Sequence, residues 1–192
     1  AEGSEAGVEI NFGGEGRNRV SREVLRGIFN EKVSEKEFLN EIKTSNLISL
    51  FKNLQDKKLD EATSLQVTTN LFNIILEKLD SSTCEEFTDS FYKIEPEELK
   101  TDLVRRLGEK IENNINEFYK CYISNSYKIN RYLDSNTPSR LEGKSLQAVI
   151  EAKDSVTYFD HFYTNYTRGY RYALIPEPFR HALKRLEKTD DR

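Results

Sequence analysis

Between residues 156 and 180 the chain reads VTYFDHFYTNYTRGYRYALIPEPFR, and the spacing of its rings restricts the fold more than any other feature. Tyr158, Phe159, Phe162, Tyr163, Tyr166 and Tyr170 recur at i, i+1, i+4, i+5, i+8 and i+12. That is the broad apolar face of a helix, because side chains three and four apart share a face, whereas a strand alternates every second residue. Rings of this size bury a large area, so such a helix needs other helices to pack against it.

The rest of the chain supplies them. Val24, Leu25, Ile28 and Phe29 predict a helix at 22–30 capped by Ser21. Ser34 with Glu37 forms a capping-box pattern ahead of Phe38, Leu39 and Ile42. Leu47, Ile48, Leu50, Phe51 and Leu54 follow, and after Asp60 a stripe of Leu65, Leu71, Phe72, Ile75 and Leu79. Asp80, Ser81 and Ser82 read as a break, with Thr83 and Glu86 as a second capping box before Phe87, Phe91 and Ile94. From Pro96, the positions Leu99, Leu103, Leu107, Ile111, Ile115, Phe118, Tyr122, Ile129 and Leu133 predict one long helix over about 96–133, with a kink or interruption at 124–126. Residues 134–143, DSNTPSRLEG, have the composition of a surface loop, after which Ser145 caps a helix through Leu146, Val149 and Ile150. Asp154 or Ser155 caps the aromatic helix and Gly169 ends it. The corner Ile175-Pro176-Glu177-Pro178 is extended, and a last helix spans about 179–186.

The expectation is therefore an all-α, irregular multi-helix bundle with one long helix and a C-terminal aromatic helix. Residues 1–20, with Gly13, Gly14 and Gly16, are expected to be a flexible arm; they lack the strand and the GK[ST] ending of a phosphate loop. Residues 21–188 are expected to be a single helical domain with a weak seam near 80–83, and 189–192 a frayed tail. At 192 residues with 21 Phe and Tyr, the chain is long enough for a sizeable core and too aromatic for disorder.

The chemistry-bearing residues are sparse. His161 and His181 stand in no catalytic motif, and the adjacent Asp160 and His161 would point about 100° apart on a helix. No metal-ligand spacing occurs, so neither metal nor cofactor is expected, and an enzyme is the least supported class. Carboxylates cluster at helix starts, where capping and solubility account for them. The two cysteines, Cys84 and Cys121, are open to two readings: unrelated small core residues, or a disulfide closing a loop of about 37 residues and worth roughly 3–4 kcal/mol. Asn165-Tyr166-Thr167 is an N-glycosylation sequon, meaningful only in an exported chain. The opening AEGSEAG has the look of a mature or trimmed ectodomain or of a tag remnant. No apolar run approaches 18 residues, so no membrane-spanning helix is expected.

Charge is polarised. Residues 80–117 hold eleven acids against five bases, and residues 163–188 six bases against two acids. The overall charge of −4 argues against a general nucleic-acid binder. The basic stretch coincides with the end of the aromatic one. Tyr158, Phe159, Phe162 and Tyr166 are expected in the core. Tyr170, Arg171, Tyr172, Arg180, Lys184 and Arg185 fall beyond the main stripe and are the candidate binding residues, since tyrosine and arginine are enriched in binding patches. A protein surface, an anionic glycan or lipid head groups would suit them.

The segments SRLEGKSLQAVIEA (139–152) and YFDHFYTNYTRGYRYALIPEPFR (158–180), with STCEEF (82–87), resemble the merozoite surface antigens of Babesia and related piroplasms. The similarity covers about half the chain. It implies a helical, GPI-anchored antigen and adhesin on the outer face of the plasma membrane, whose partners are the host erythrocyte surface and antibodies. The alternatives are a non-enzymatic intracellular scaffold with reduced cysteines, or a carrier of a small ligand or lipid with the aromatic helix lining its cavity.

Overall fold

The computed structural model describes residues 8–11, 17–20, 37, 39–56, 61–165 and 179. The chain forms two compact units, Ala1–Lys110 and Ile111–Arg192. The seam expected near 80–83 thus lies inside the first unit, and the division falls in the last turn of a helix beyond it. Both units are built mainly from helices, as the apolar periodicity requires. The helices expected at 22–30 and, apart from Phe179, at 179–186 lie outside the described residues.

In the first unit, part of the expected flexible arm is regular. Strands β1 (Val8–Asn11) and β2 (Arg17–Val20) pair antiparallel, with Val8 opposite Val20 and Asn11 opposite Arg17. The β-branched Val8, Ile10 and Val20, placed either side of a Gly-rich stretch, are the composition of a hairpin, a signal outweighed by the abundance of glycine.

Helix α1 (Thr44–Gln55) buries Leu47, Ile48, Leu50, Phe51 and Leu54, as its spacing predicts. Helix α2 (Glu61–Lys78) buries Val67, Leu71, Phe72, Ile74 and Ile75. Leu65 shares the phase of Phe72 but sits two turns nearer the helix start and is 43% exposed, so position along the axis overrides phase. Gln55 Nε2 donates to Thr68 Oγ1 at 3.2 Å, joining α1 to α2. At the other end of α2 the Lys78 ammonium donates to the backbone carbonyls of Leu39, Asn40 and Ile42, a cation satisfying carbonyls at the end of a helical turn.

Asp80 does not simply break the chain; it starts helix α3 (Ser81–Thr88). Its carboxylate accepts from the Thr83 backbone N–H at 2.9 Å, while Thr83 Oγ1 accepts from the Asp80 N–H at 3.0 Å. The capping box is thus Asp80/Thr83, three residues earlier than the Thr83/Glu86 pattern, because an ionised carboxylate accepts more strongly than a hydroxyl. Phe87 of α3 and Phe91 of the following 3₁₀ turn (Phe91–Lys93) join Phe51 and Phe72 in a buried cluster of four rings. Its centroid separations run from 4.8 Å (Phe72–Phe87) to 6.0 Å (Phe51–Phe72).

The single long helix expected over 96–133 is two: α4 (Glu97–Asn113) and α5 (Ile115–Asn130), separated at Asn114, whose φ −134°, ψ 46° is not helical. The spacing explains the break. Apolar residues at 99, 103, 107, 111 and 115 advance by four, and each step of four overshoots a full turn by about 40°. A straight helix would carry the stripe off its face within a few turns. The break at the helix-poor pair Asn113-Asn114 resets the phase. The interruption expected at 124–126 is present as a kink at Asn125 (φ −124°, ψ 16°), whose Nδ2 donates to the Cys121 carbonyl at 2.9 Å.

The second unit continues with helix α6 (Thr137–Glu151). The expected surface loop over 134–143 is thus largely helical: Pro138 lies in the first turn, where its missing N–H costs nothing. Ser145, expected as a cap, is instead a buried interior residue of α6 alongside Leu141, Ala148 and Val149. The Tyr122 hydroxyl donates to Asn130 Oδ1 at 2.7 Å and lies 3.3 Å from the Pro138 carbonyl, fastening the end of α5 to the start of α6.

Gly143 sits on the exposed side of α6, and an added Cβ would meet no atom within 4 Å. Gly143→Ala is therefore expected to stabilise the fold by about 0.5–1 kcal/mol, through the lost backbone freedom of the unfolded chain. Thermal and urea denaturation would measure it, and a destabilised variant would contradict it.

Helix α6 closes in a Schellman turn: the Asp154 N–H bonds the Val149 carbonyl and the Lys153 N–H the Ile150 carbonyl, with Lys153 at φ 54°. Asp154 immediately caps the aromatic helix α7 (Ser155–Asn165). The core of this unit contains Tyr119, Ile123, Ala148, Val149, Tyr158 and Phe179, with Ile115, Leu146, Ile150 and Phe159 packed on it. The Tyr158 and Phe179 rings stack at 4.5 Å and 16°.

Candidate functional site

The aromatic helix is positioned by one carboxylate. Asp154 accepts from the Thr157 backbone N–H (3.1 Å) and hydroxyl (2.7 Å) and from the Tyr119 hydroxyl (2.7 Å), and Lys120 approaches within 3.6 Å. Burial pushes the Asp154 carboxyl up, but the bonds from Thr157 and Tyr119 and the Lys120 charge outweigh it and hold the carboxyl below its ordinary range. Burial, and then the bond to this anion, raise the Tyr119 hydroxyl to about 12, so it remains a donor at every physiological pH.

Of the rings expected in the core, Tyr158 is buried and Phe159 half-buried, the two meeting edge to face at 5.4 Å. Phe162 belongs to α7, with its side chain outside the described residues; Tyr166 lies outside them altogether. The candidate binding residues Tyr170, Arg171, Tyr172, Arg180, Lys184 and Arg185 also lie outside the described residues. Asn165 of the sequon is the last residue of α7, its side chain likewise outside. Cys84 and Cys121, the two cysteines of the chain, are both disulfide-bonded and neither is free.

The charges sort by unit. Residues 1–110 carry 22 acids against 16 bases, and residues 111–192 carry 13 bases against 11 acids. Some bases of the second unit are committed to structure. Glu112 accepts from Arg140 Nε at 2.5 Å and Nη2 at 3.1 Å, and from Lys144 Nζ at 3.0 Å. Arg140, and then Lys144, hold the Glu112 carboxyl down at about 2. A folded-state value below the unfolded one stabilises the fold above the unfolded pKa, and that stability is lost as pH falls through the folded one. Stability is therefore expected to decline between about pH 4.5 and 2, and Glu112→Gln to flatten that part of the profile. Denaturation midpoints measured across that range would check it; identical slopes for the two proteins would refute it.

Composition did not single out the outer face of α5. Tyr127 is 70% exposed, with the Lys128 ammonium 5.6 Å from its ring centroid. Arg131 is exposed, and its guanidinium lies 5.3 Å from the Tyr132 centroid. Residues 118–133 contain three bases and no acid. Two signals in the sequence could have found this face: that acid-free run, and a tyrosine off the apolar stripe. Tyr92 of the first unit is equally exposed at 70%, but Asp89, Glu95, Glu97 and Glu98 flank it in sequence.

Among the described residues, no group of three His, Cys, Asp or Glu side chains could hold a metal ion, and no helix is long and apolar enough to cross a membrane. Comparison of the chain with protein-family models, with curated proteins and with solved structures finds no match in any of the three.

Proposed function

We propose that the chain is an extracellular helical binding domain, a surface antigen and adhesin of the merozoite type, held to the membrane by a lipid anchor and contacting the host erythrocyte. The observation that carries its extracellular half is the oxidised state of Cys84 and Cys121. Disulfides persist in secreted and surface proteins and are rare where thiol reductants act, which disfavours the intracellular scaffold. The excess of bases in the second unit supports a contact that begins electrostatically with an anionic cell surface. In this reading Arg180, Lys184 and Arg185 make the first approach, and Tyr170, Arg171 and Tyr172 add short-range area.

Two measurements test the two halves. Mass spectrometry of native material under non-reducing conditions should find one intramolecular bridge; two free thiols would overturn the extracellular assignment. Binding of the purified chain to erythrocytes should weaken with salt, since surface charges are screened over about 8 Å at physiological ionic strength. The triple reversal Arg180→Glu, Lys184→Glu, Arg185→Glu should reduce that binding several-fold with helicity unchanged. Full binding by the triple variant would remove this patch from the site.

A further inference from the structure

We propose that the outer face of α5, centred on Tyr127 and Arg131, is a binding surface for a sulfated polysaccharide. The choice of a cell-surface polyanion rests on the extracellular reading above; the site itself rests on the geometry of α5. Tyr127 presents 70% of its surface to solvent on a helix whose other tyrosines, Tyr119 and Tyr122, are buried. Lys128 in the last turn and Arg131 at the C-cap complement the negative end of the helix dipole, which accounts for the two cations but not for the open ring beside them. Tyr127 and Arg131, four residues apart beyond the kink at Asn125 and with Arg131 in helical conformation at the C-cap, share one face. Acids flank the run at Glu117 and Asp134, and none lies between them.

Charge complementarity selects an anion, and the ring selects among anions. A pyranose offers an apolar C–H face that can stack on a phenol while its sulfates reach cations on either side. An acidic peptide would use the cations and leave the ring with no defined role. A lipid surface would need a larger apolar area than Tyr127 presents. Arg140 and Lys144 are held by Glu112, and Lys120 is shared with Asp154, so Tyr127 and Arg131 are the residues whose removal should matter most. Tyr92 is the internal contrast: the same exposure among flanking acids would repel the same ligand.

The test uses the oxidised full chain and heparin oligosaccharide as probe, with titration calorimetry at several salt concentrations. The wild-type chain should bind, more weakly as salt rises. Tyr127→Ala with Arg131→Gln should weaken binding about tenfold with unchanged helicity, the scale of a central aromatic and arginine contact. The triple reversal at Arg180, Lys184 and Arg185 should retain heparin binding. No binding by the wild type, or wild-type affinity in the Tyr127/Arg131 variant, would overturn the proposal. Loss of heparin binding in the triple variant alone would also overturn it, while leaving the adhesin reading intact. Equal affinity for polyglutamate would overturn the polysaccharide assignment.

Discussion

Replacing Phe87 with alanine is expected to destabilise the first unit by about 3–5 kcal/mol, the range for removing a fully buried ring. Phe87 has no solvent exposure and touches three other rings: Phe51 at 5.7 Å, Phe72 at 4.8 Å and Phe91 at 5.1 Å. It comes from the eight-residue helix α3, too short to hold itself together in water, so its packing is what keeps α3 folded. The loss combines the transfer term for the ring, the cavity left behind and the edge-to-face contacts with Phe51 and Phe91. Phe87→Leu retains most of the apolar volume and should cost markedly less. Urea denaturation of the two variants checks the ordering, and an alanine variant within about 1 kcal/mol of wild type would show that the four rings are not a tightly packed core.

The second large effect is covalent. Changing both Cys84 and Cys121 to serine is expected to cost roughly 3–4 kcal/mol, through the entropy regained by a loop of about 37 residues in the unfolded chain. The double variant is the informative one, because a single serine leaves a free thiol that can pair between molecules. Denaturant midpoints should separate for the wild type with and without reductant and coincide for the double serine variant. A wild type insensitive to reductant would show that the bridge does not constrain the unfolded state.

Much of this architecture was legible from spacing alone. Leu47, Ile48, Leu50, Phe51 and Leu54 are the buried face of α1, and Leu99, Leu103, Leu107 and Ile111 that of α4. Burying one apolar stripe is a local requirement, and a sequence states it directly. The errors fall where two local signals competed. Pro138 suits a loop as readily as a first helical turn, Ser145 suits a cap as readily as a helix interior, and Asp80 and Thr83 both make acceptable caps. In the candidate site, the binding residues proposed from composition lie outside the described residues, whereas the open face of α5 went unnoticed. Whether Tyr127 packs or projects depends on how a helix kinked at Asn125 meets its neighbours, and its spacing in the chain does not state that.

The sequence by itself determined the helical class, the identity of most core residues and the uneven distribution of charge, because each follows from side-chain period and composition. Tertiary structure decided that the chain divides at 110/111. It also decided that Asp154 is at once the end of α6, the cap of α7 and the acceptor for Tyr119. These outcomes depend on groups distant in sequence meeting in space. The free energy of a buried hydrogen bond exists only once its partners are within reach.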